Sequence, residues 1–156
     1  MNDQITKEFY AAYLYLSMSA YFEIENLPGF ASWMRMQHQE EVTHAMRLFD
    51  FLLARGEWVE LQAIEKPPSD FGGPLAGMEQ ALAHEQKVTV AINKLYELAI
   101  KEKDYPAQFE LQWFISEQME EEKTVSDIIA RIKLAGDSGP AMLMLDKELG
   151  GRAAAE

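Results

Sequence analysis

The sequence contains no cysteine among its 156 residues. Disulfide bonds, zinc–thiolate sites, iron–sulfur clusters and catalysis by a thiol are therefore excluded. The absence also fits a protein of the reducing cytoplasm, where disulfides are rare. Metal binding, if it occurs, cannot use thiolate ligands.

Basic residues are also few, since 14 Lys and Arg stand against 26 Asp and Glu, which gives a net charge of −12. No nucleic-acid or membrane partner is expected, because such surfaces need Lys and Arg. The longest stretch without charge, residues 9–22, is too short to span a bilayer. No cationic segment followed by an apolar run opens the chain, so no secretory signal is expected and the predicted location is cytoplasmic.

Clusters of proline and glycine divide the chain into long segments with helical periodicity. The predicted helices cover residues 2–26, 28–55, 75–103, 104–135 with Asp104 as N-cap, and a short tail that ends at residue 149. The connection over residues 57–74 is irregular and long enough to cross the length of a helical bundle.

Tight turns join the first helix to the second and the third to the fourth, so each of these pairs is antiparallel. The long connection can join two parallel helices. The predicted fold class is all-α: a four-helix bundle with a long crossover between helices two and three, plus a short fifth C-terminal helix. We expect a single domain over residues 1–156, with the bundle over about residues 1–135 and the short helix over about residues 140–149.

Each of the four long helices carries an acid in the middle of its apolar stripe. Spacing of three and four residues along each helix predicts that these acids face the core, and that one His and one Gln do so too. The residues are Glu8, Glu41, Glu85 and Glu121, with His44 and Gln118. An unpaired buried carboxylate is costly, and nearby stripe positions supply no Lys or Arg. A multivalent cation removes this cost, and carboxylates with one imidazole suit iron or manganese. The sequence therefore predicts a dinuclear metal site inside the bundle.

Structural explanations compete with this interpretation when each residue is considered alone. A single Glu-x-x-His is usually a surface pair, and the acids at positions 120–122 would usually form a solvated face. Tyr15 and Trp113 are more often core aromatics than redox participants. His38 and His84 lie off the stripes and are expected at the surface. The metal site is favoured because four inward acids coincide on four helices.

Distinctive motifs lie on three of the long helices and near the end of the chain: QEEVTH at 39–44, HEQ at 84–86, LQWFISEQMEEEK at 111–123, and LAGDSG followed by LDKELG. These segments resemble the bacterial non-haem ferritins of the ferritin-like di-iron family. The resemblance covers nearly the whole chain, including the long crossover and the fifth helix. It implies a ferritin-like fold in which the metal is iron.

The resemblance also implies a role for individual residues. Glu8, Glu41 and His44 match the ligands of a first iron, and Glu41 bridges to a second iron that Glu85 binds with Gln118 close by. Glu40, Glu117, Glu120 and Glu121 match the ligands of a third iron site. Tyr15 matches the tyrosine beside the centre, and Trp113 matches the tryptophan of helix four.

Two departures from bacterioferritin indicate that no haem is bound. Gln118 and Glu121 stand where bacterioferritin has a second Glu-x-x-His. Val42 occupies the place of its haem-binding methionine, directly after the bridging glutamate.

The resemblance implies an iron-storage protein with ferroxidase activity, which oxidises Fe(II) with dioxygen or hydrogen peroxide and stores a ferric oxyhydroxide mineral in a hollow shell of 24 subunits. The residues themselves argue only for a homo-oligomer, because they leave apolar surface outside one bundle core. This surface comprises Phe9, Tyr10, Tyr13, Leu14, Trp33 and residues 141–145.

Three other functions remain open from the sequence. The main alternative is a di-iron peroxidase or oxidase of the same superfamily that stores no mineral. A miniferritin binds its metal between subunits, whereas here all four helices of one chain supply ligands. The third alternative is a helical module that binds no metal.

Overall fold

The computed structural model describes residues 1–151, so the last five residues of the predicted domain lie outside the described part. Within it are five helices and no strand: α1 (Asn2–Ile24), α2 (Pro28–Ala54), α3 (Pro74–Lys101), α4 (Tyr105–Ala135) and α5 (Gly139–Gly150). Their ends differ from the predicted ones by about two residues or fewer, the usual scatter of helix termini. Among the helices of residues 1–151, none combines the length and the apolar character that a transmembrane span requires.

The bundle core consists of two apolar clusters at opposite ends. One, here called the Phe22 cluster, includes Phe22, Phe30, Met78 and Ile132. The other, the Ile5 cluster, includes Ile5, Leu48, Ile92 and Leu111. α1 and α4 run from the Ile5 cluster to the Phe22 cluster, whereas α2 and α3 run the opposite way. This confirms the antiparallel pairs and the parallel arrangement of α2 and α3.

The crossover over residues 55–73 follows α1 along the length of the bundle. Three hydrogen bonds mark its path: Gln62 Nε2 donates to Asp3 Oδ1 at 2.8 Å, Ser17 Oγ to the Pro68 carbonyl at 2.5 Å, and the Gly73 N–H to Tyr21 Oη at 2.7 Å. The α1 partners progress from its first turn to its last. The crossover therefore returns the chain to the end of the bundle at which α2 began.

Helix α5 docks against the start of α2 through a close backbone approach at Gly29. A Cβ on this residue would lie 1.6 Å from the Asp146 carbonyl oxygen, so only glycine fits. The Asp146 carboxylate accepts a hydrogen bond from the Phe30 N–H at 2.9 Å, which satisfies a free donor in the first turn of α2.

This docking corrects part of the predicted subunit surface. Leu14 and Trp33, expected to contact another subunit, are 6% and 2% exposed within the chain. Both belong to the Phe22 cluster. Trp33 and Leu149 of α5 line one pocket, so the tail helix of the same chain takes part in covering Trp33.

The tight turn between α3 and α4 is fixed by local backbone chemistry. Lys103 has a φ of 55°, which ends α3 and reverses the chain. Asp104 then caps α4, because its side chain accepts a hydrogen bond from the Ala107 N–H at 3.1 Å. The same carboxylate forms an ion pair with Arg55 at 2.7 Å, which links this turn to the end of α2.

Candidate metal centre

Polar side chains from all four long helices lie between the two apolar clusters. We call this set the polar layer: Glu8, Gln37, Glu41, His44, Glu85, Gln118 and Glu121. Each is at most 5% exposed, so the layer is closed to bulk water. On every helix these residues fall between the last residue of one cluster and the first of the other. The structure therefore brings the predicted inward acids to one level of the bundle.

Glu8, Glu41 and His44 form the most compact group in this layer. One ligand atom from each lies within 4.8 Å of the other two. His44 Nδ1 is 3.5 Å from Glu41 Oε2, and Gln4 Nε2 donates a hydrogen bond of 2.7 Å to Glu8 Oε1. Two carboxylates and one imidazole nitrogen at this spacing can bind one cation together.

The Glu41 carboxyl group has the fewest polar contacts of the acids in the layer. Both of its oxygens are buried, and no donor in the described chain reaches either of them. Burial, together with the negative charges of Glu85, Glu8 and Glu121, holds the pKa of Glu41 well above its usual range. A proton on Glu41 can be shared with Glu8, whose own pKa burial raises to about 7. A bound cation would replace that proton and keep both groups ionised, so these residues fit a metal.

Glu85 lies on the other side of the layer and is satisfied by hydrogen bonds instead. The Tyr15 hydroxyl donates to Oε1, and Gln118 Nε2 donates to Oε2 at 3.1 Å. Burial raises the pKa of Glu85 despite these donors. Burial and the adjacent carboxylates also raise the pKa of Tyr15, which keeps its phenol protonated and able to donate. Glu85 therefore does not join the Glu8–Glu41–His44 group in this geometry.

A second group extends from His44 toward the surface of α4. Ligand atoms of His44, Glu117 and Glu121 lie within 4.8 Å of one another, and His44 Nε2 is 3.8 Å from Glu117 Oε1. Gln37 Nε2 donates to Glu121 Oε2 at 2.7 Å. Burial, aided by the charges of surrounding carboxylates, raises the pKa of Glu121 to about 8. His44 thus faces an acid through each ring nitrogen.

The remaining two predicted ligands of the third iron site lie at the edge of this group. Glu120 is exposed and Glu40 is half-buried. After burial, their negative charges are the next causes that raise the pKa of Glu117. The four acids are thus close enough to interact electrostatically, although only Glu117 and Glu121 lie within metal-binding distance of His44.

The His44 ring is held from the side by aromatic contacts. The Trp113 ring meets it edge-on at a centroid distance of 5.4 Å. Arg47 lies 4.0 Å above the Trp113 ring and forms an ion pair with Glu110. Burial, with a smaller effect from Arg47, lowers the pKa of His44 to about 4. The imidazole is therefore neutral at pH 7 and has a lone pair available for a metal.

Two glutamines that were not among the predicted ligands lie against the acids in the structure. Gln4 donates to Glu8, and Gln37 donates to Glu121. The signal that could have found them is an amide side chain one helical turn before an inward acid, since Gln4 precedes Glu8 by four residues and Gln37 precedes Glu41 by four.

The expectation that His38 and His84 lie at the surface holds only in part, because both residues are half-buried. His38 Nδ1 lies 2.8 Å from the Ala12 carbonyl, because α2 packs against α1. His84 packs against the Tyr10 ring at 5.6 Å, and its Nε2 is buried with no hydrogen-bond partner in residues 1–151. Burial lowers the pKa of His84 to about 4. Both histidines contact the neighbouring helix α1, which a position outside the apolar stripe does not predict.

Fold and site together define a class of protein. A four-helix bundle with one long crossover, and carboxylates with Glu-x-x-His turned into its core, is the architecture of the ferritin-like carboxylate-bridged dimetal proteins.

Comparison with known proteins gives the family. Residues 1–135 match the ferritin-like domain family. A bacterial non-haem ferritin of Bacteroides fragilis is 41% identical over 152 residues, which cover 97% of this chain and 94% of that protein. One from Escherichia coli O6:H1 is 38% identical over 149 residues, covering 96% and 90%. The chain belongs to the ferritin family, and this membership supports a role in iron storage.

Solved structures agree with this assignment. An open-pore ferritin from the hyperthermophilic archaeon Archaeoglobus fulgidus superposes with a TM-score of 0.97 at 49% identity, covering 97% of this chain and 94% of that one. An engineered closed form of the same archaeal ferritin gives 0.97 at 48% identity, with 99% and 94% covered. The helical arrangement described above is therefore that of ferritin subunits.

Proposed function

We propose that this ferritin oxidises Fe(II) to Fe(III) in the polar layer and stores the product as a ferric oxyhydroxide mineral inside a hollow shell. The observation that carries the proposal is the Glu41 carboxylate, which is buried among other carboxylates with no donor for either oxygen. Ferrous ions on both sides of Glu41 would neutralise it, and no Lys or Arg is among the buried residues of the described chain.

Each ligand has a distinct part in this proposal. Glu8, Glu41 and His44 bind the first iron, and Glu41 bridges to the second, which Glu85 binds with Gln118 close by. Carboxylate oxygens are hard ligands that stabilise Fe(III) over Fe(II), so they favour oxidation. Gln118 is neutral and a weak donor, which lets the second iron leave after it has been oxidised.

Iron is the substrate, and the reaction balances with one oxidant molecule for two irons. Each Fe(II) gives up one electron. Dioxygen takes two electrons and two protons to become hydrogen peroxide, and hydrogen peroxide takes two more of each to become two waters. The raised pKa values of Glu8 and Glu41 mean that iron binding releases carboxyl protons inside the layer. Tyr15 holds the Glu85 carboxylate in place through its hydroxyl.

A third iron site is proposed at the edge of the layer, and no haem site is expected. The support for the third site is the His44–Glu117–Glu121 group and the negative charges beside it. Its four acids are Glu40, Glu117, Glu120 and Glu121. Such a site would receive Fe(III) from the centre and pass it toward the mineral. Val42 follows the bridging glutamate, so the haem-binding methionine of bacterioferritin has no counterpart.

Storage requires an enclosure, which we propose is a shell of 24 copies of this chain in the cytoplasm. Apolar residues that remain exposed in the single chain support assembly: Leu134 is 89%, Met144 68%, Leu143 62% and Tyr13 48% exposed. Burying such side chains against other subunits is favourable. The number of subunits is inferred from the ferritin relatives.

Aerobic Fe(II) titration followed by absorbance tests the proposal. We expect a fast phase of about two irons per chain that is lost in Glu85→Ala and kept in Glu97→Ala, which removes an exposed acid of the same helix. Persistence of the fast phase in Glu85→Ala would contradict the assigned centre. A small species that turns over peroxide or an organic substrate without accumulating iron would favour the di-iron peroxidase or oxidase instead.

A further inference from the structure

A pocket of about 420 Å³ opens between α3 and α4, next to the Glu85 side of the polar layer. Its polar lining consists of Thr89, Asn93, Gln118 and Glu122, and isoleucine and methionine side chains form the rest. Each polar residue offers an oxygen ligand, and Glu122 adds a negative charge. Oxygen donors of this kind are the ligands preferred by hard divalent cations.

A chain of hydrogen bonds connects the pocket to the centre. The Thr89 hydroxyl donates to Glu122 Oε1 at 2.5 Å. Gln118 Nε2 lies 3.3 Å from Thr89 Oγ1 and 3.1 Å from Glu85 Oε2. Gln118 is 3% exposed, so its amide is the last group between the pocket and the Glu85 carboxylate.

We propose that this pocket is the passage by which divalent metal ions reach Glu85, with Glu122 as the outer carboxylate and Gln118 as the gate. The proposal rests on the proposed role of Glu85 as a metal ligand. A single carboxylate in a recess with apolar walls concentrates cations more strongly than one on an open surface. The hydroxyl and amide oxygens behind it can then replace water molecules lost by the ion.

Gln118 must turn for an ion to be bound at Glu85. Its NH₂ group now faces the carboxylate, and that group would be repelled by a cation. Rotation of the amide by half a turn presents its oxygen instead, at no cost in volume. Opening of the gate and completion of the second metal's ligands are therefore the same movement.

This passage is separate from the acidic group around Glu117 and Glu121. That group meets the layer through His44, on the side of the first metal. The pocket meets the layer through Gln118, on the side of the second. The two metals of one centre thus have different routes.

Loading with Co(II) alone, without oxygen, tests the passage because cobalt binds without being oxidised. The rate is followed by stopped-flow visible absorption, and the phase lost in Glu85→Ala is assigned to the Glu85 side. Glu122→Gln should slow that phase about fivefold at low ionic strength and less at high salt. Asn93→Phe, which fills the mouth, should slow it at any salt concentration. Glu97→Gln is the control, because it removes the same charge from an exposed residue of α3 that does not line the pocket.

The passage is refuted if either variant loads the Glu85 side as fast as Glu97→Gln does, or if all phases slow equally. Failure of the proposed function gives a different result. In that case the parent protein shows no Co(II) phase that depends on Glu85, and no fast oxidation of Fe(II). A parent that binds Co(II) and oxidises Fe(II) as proposed, with variants that load like the control, overturns the passage alone.

Discussion

Replacing Glu8 with glutamine is expected to stabilise the metal-free protein at alkaline pH while weakening metal binding. Glu8 is 1% exposed, and burial raises its pKa from 4.5 to about 7. The folded state therefore holds the Glu8 proton more tightly than the unfolded state. Its contribution to stability is fully present below pH 4.5 and is lost as the pH rises to about 7. Glutamine keeps the shape and an acceptor for Gln4 but carries no charge.

The size of the effect follows from the difference between the two pKa values. One pKa unit corresponds to about 1.4 kcal/mol, so ionised Glu8 costs the folded state about 3 kcal/mol at pH 8 and less than about 1 kcal/mol at pH 5. In a protein of this size 1 kcal/mol moves the Tm by about 2–4 °C. Glu8→Gln should therefore raise the Tm of the metal-free protein by about 6–12 °C at pH 8, with a much smaller change at pH 5.

Thermal unfolding in the presence of a chelator measures this difference, and Glu23→Gln serves as control because it removes an exposed acid from the same helix. Added Zn(II) should reverse the order at pH 8, since the parent protein keeps both carboxylates of the Glu8–Glu41–His44 group and gains more from the metal. An equal Tm of parent and Glu8→Gln at pH 8 without metal would show that ionised Glu8 does not destabilise the folded chain.

Two further predictions concern α5. Gly29→Ala places a methyl group where the Asp146 carbonyl lies, so α5 must shift. We expect the free energy of unfolding to fall by about 2–4 kcal/mol, measured as a lower Tm, and an unchanged Tm would contradict the described contact. Leu143→Asp adds a charge to an exposed position of α5. The chain should fold with an unchanged helical circular dichroism spectrum, but light scattering should show less assembly. An intact shell would place Leu143 outside the interfaces between subunits.

The bundle was predictable because its pattern is local and repeats on every helix. Spacing of three and four residues identified the buried face, and the glycines and prolines identified the connections. The same spacing placed an acid from each long helix at one level, where the structure has them. The ends of the helices were less accurate, since they depend on residues such as Lys103 that leave the helix by adopting a positive φ.

Features that depend on contacts between distant segments were not predictable from one sequence. Trp33 was assigned to a subunit interface, but α5 folds back and helps to cover it, through an approach that only the Gly29–Asp146 contact reveals. The spacing also placed Glu85 in the layer without showing that Tyr15 and Gln118 would each donate a hydrogen bond to one of its oxygens. Periodicity gives the face and the level of a side chain, whereas its rotamer is chosen by neighbours on other helices.

The division of the core into the Phe22 and Ile5 clusters has a consequence for how the subunit fluctuates. Apolar contacts hold each end of the bundle, whereas the middle turns of all four helices meet through carboxylates that repel one another when ionised. Contacts between the four helices of the metal-free chain are therefore weakest halfway along the bundle, at the level of the polar layer. A bound pair of cations would neutralise these carboxylates and join the four helices at that level. The metal-bound subunit would therefore be more rigid there than the metal-free one.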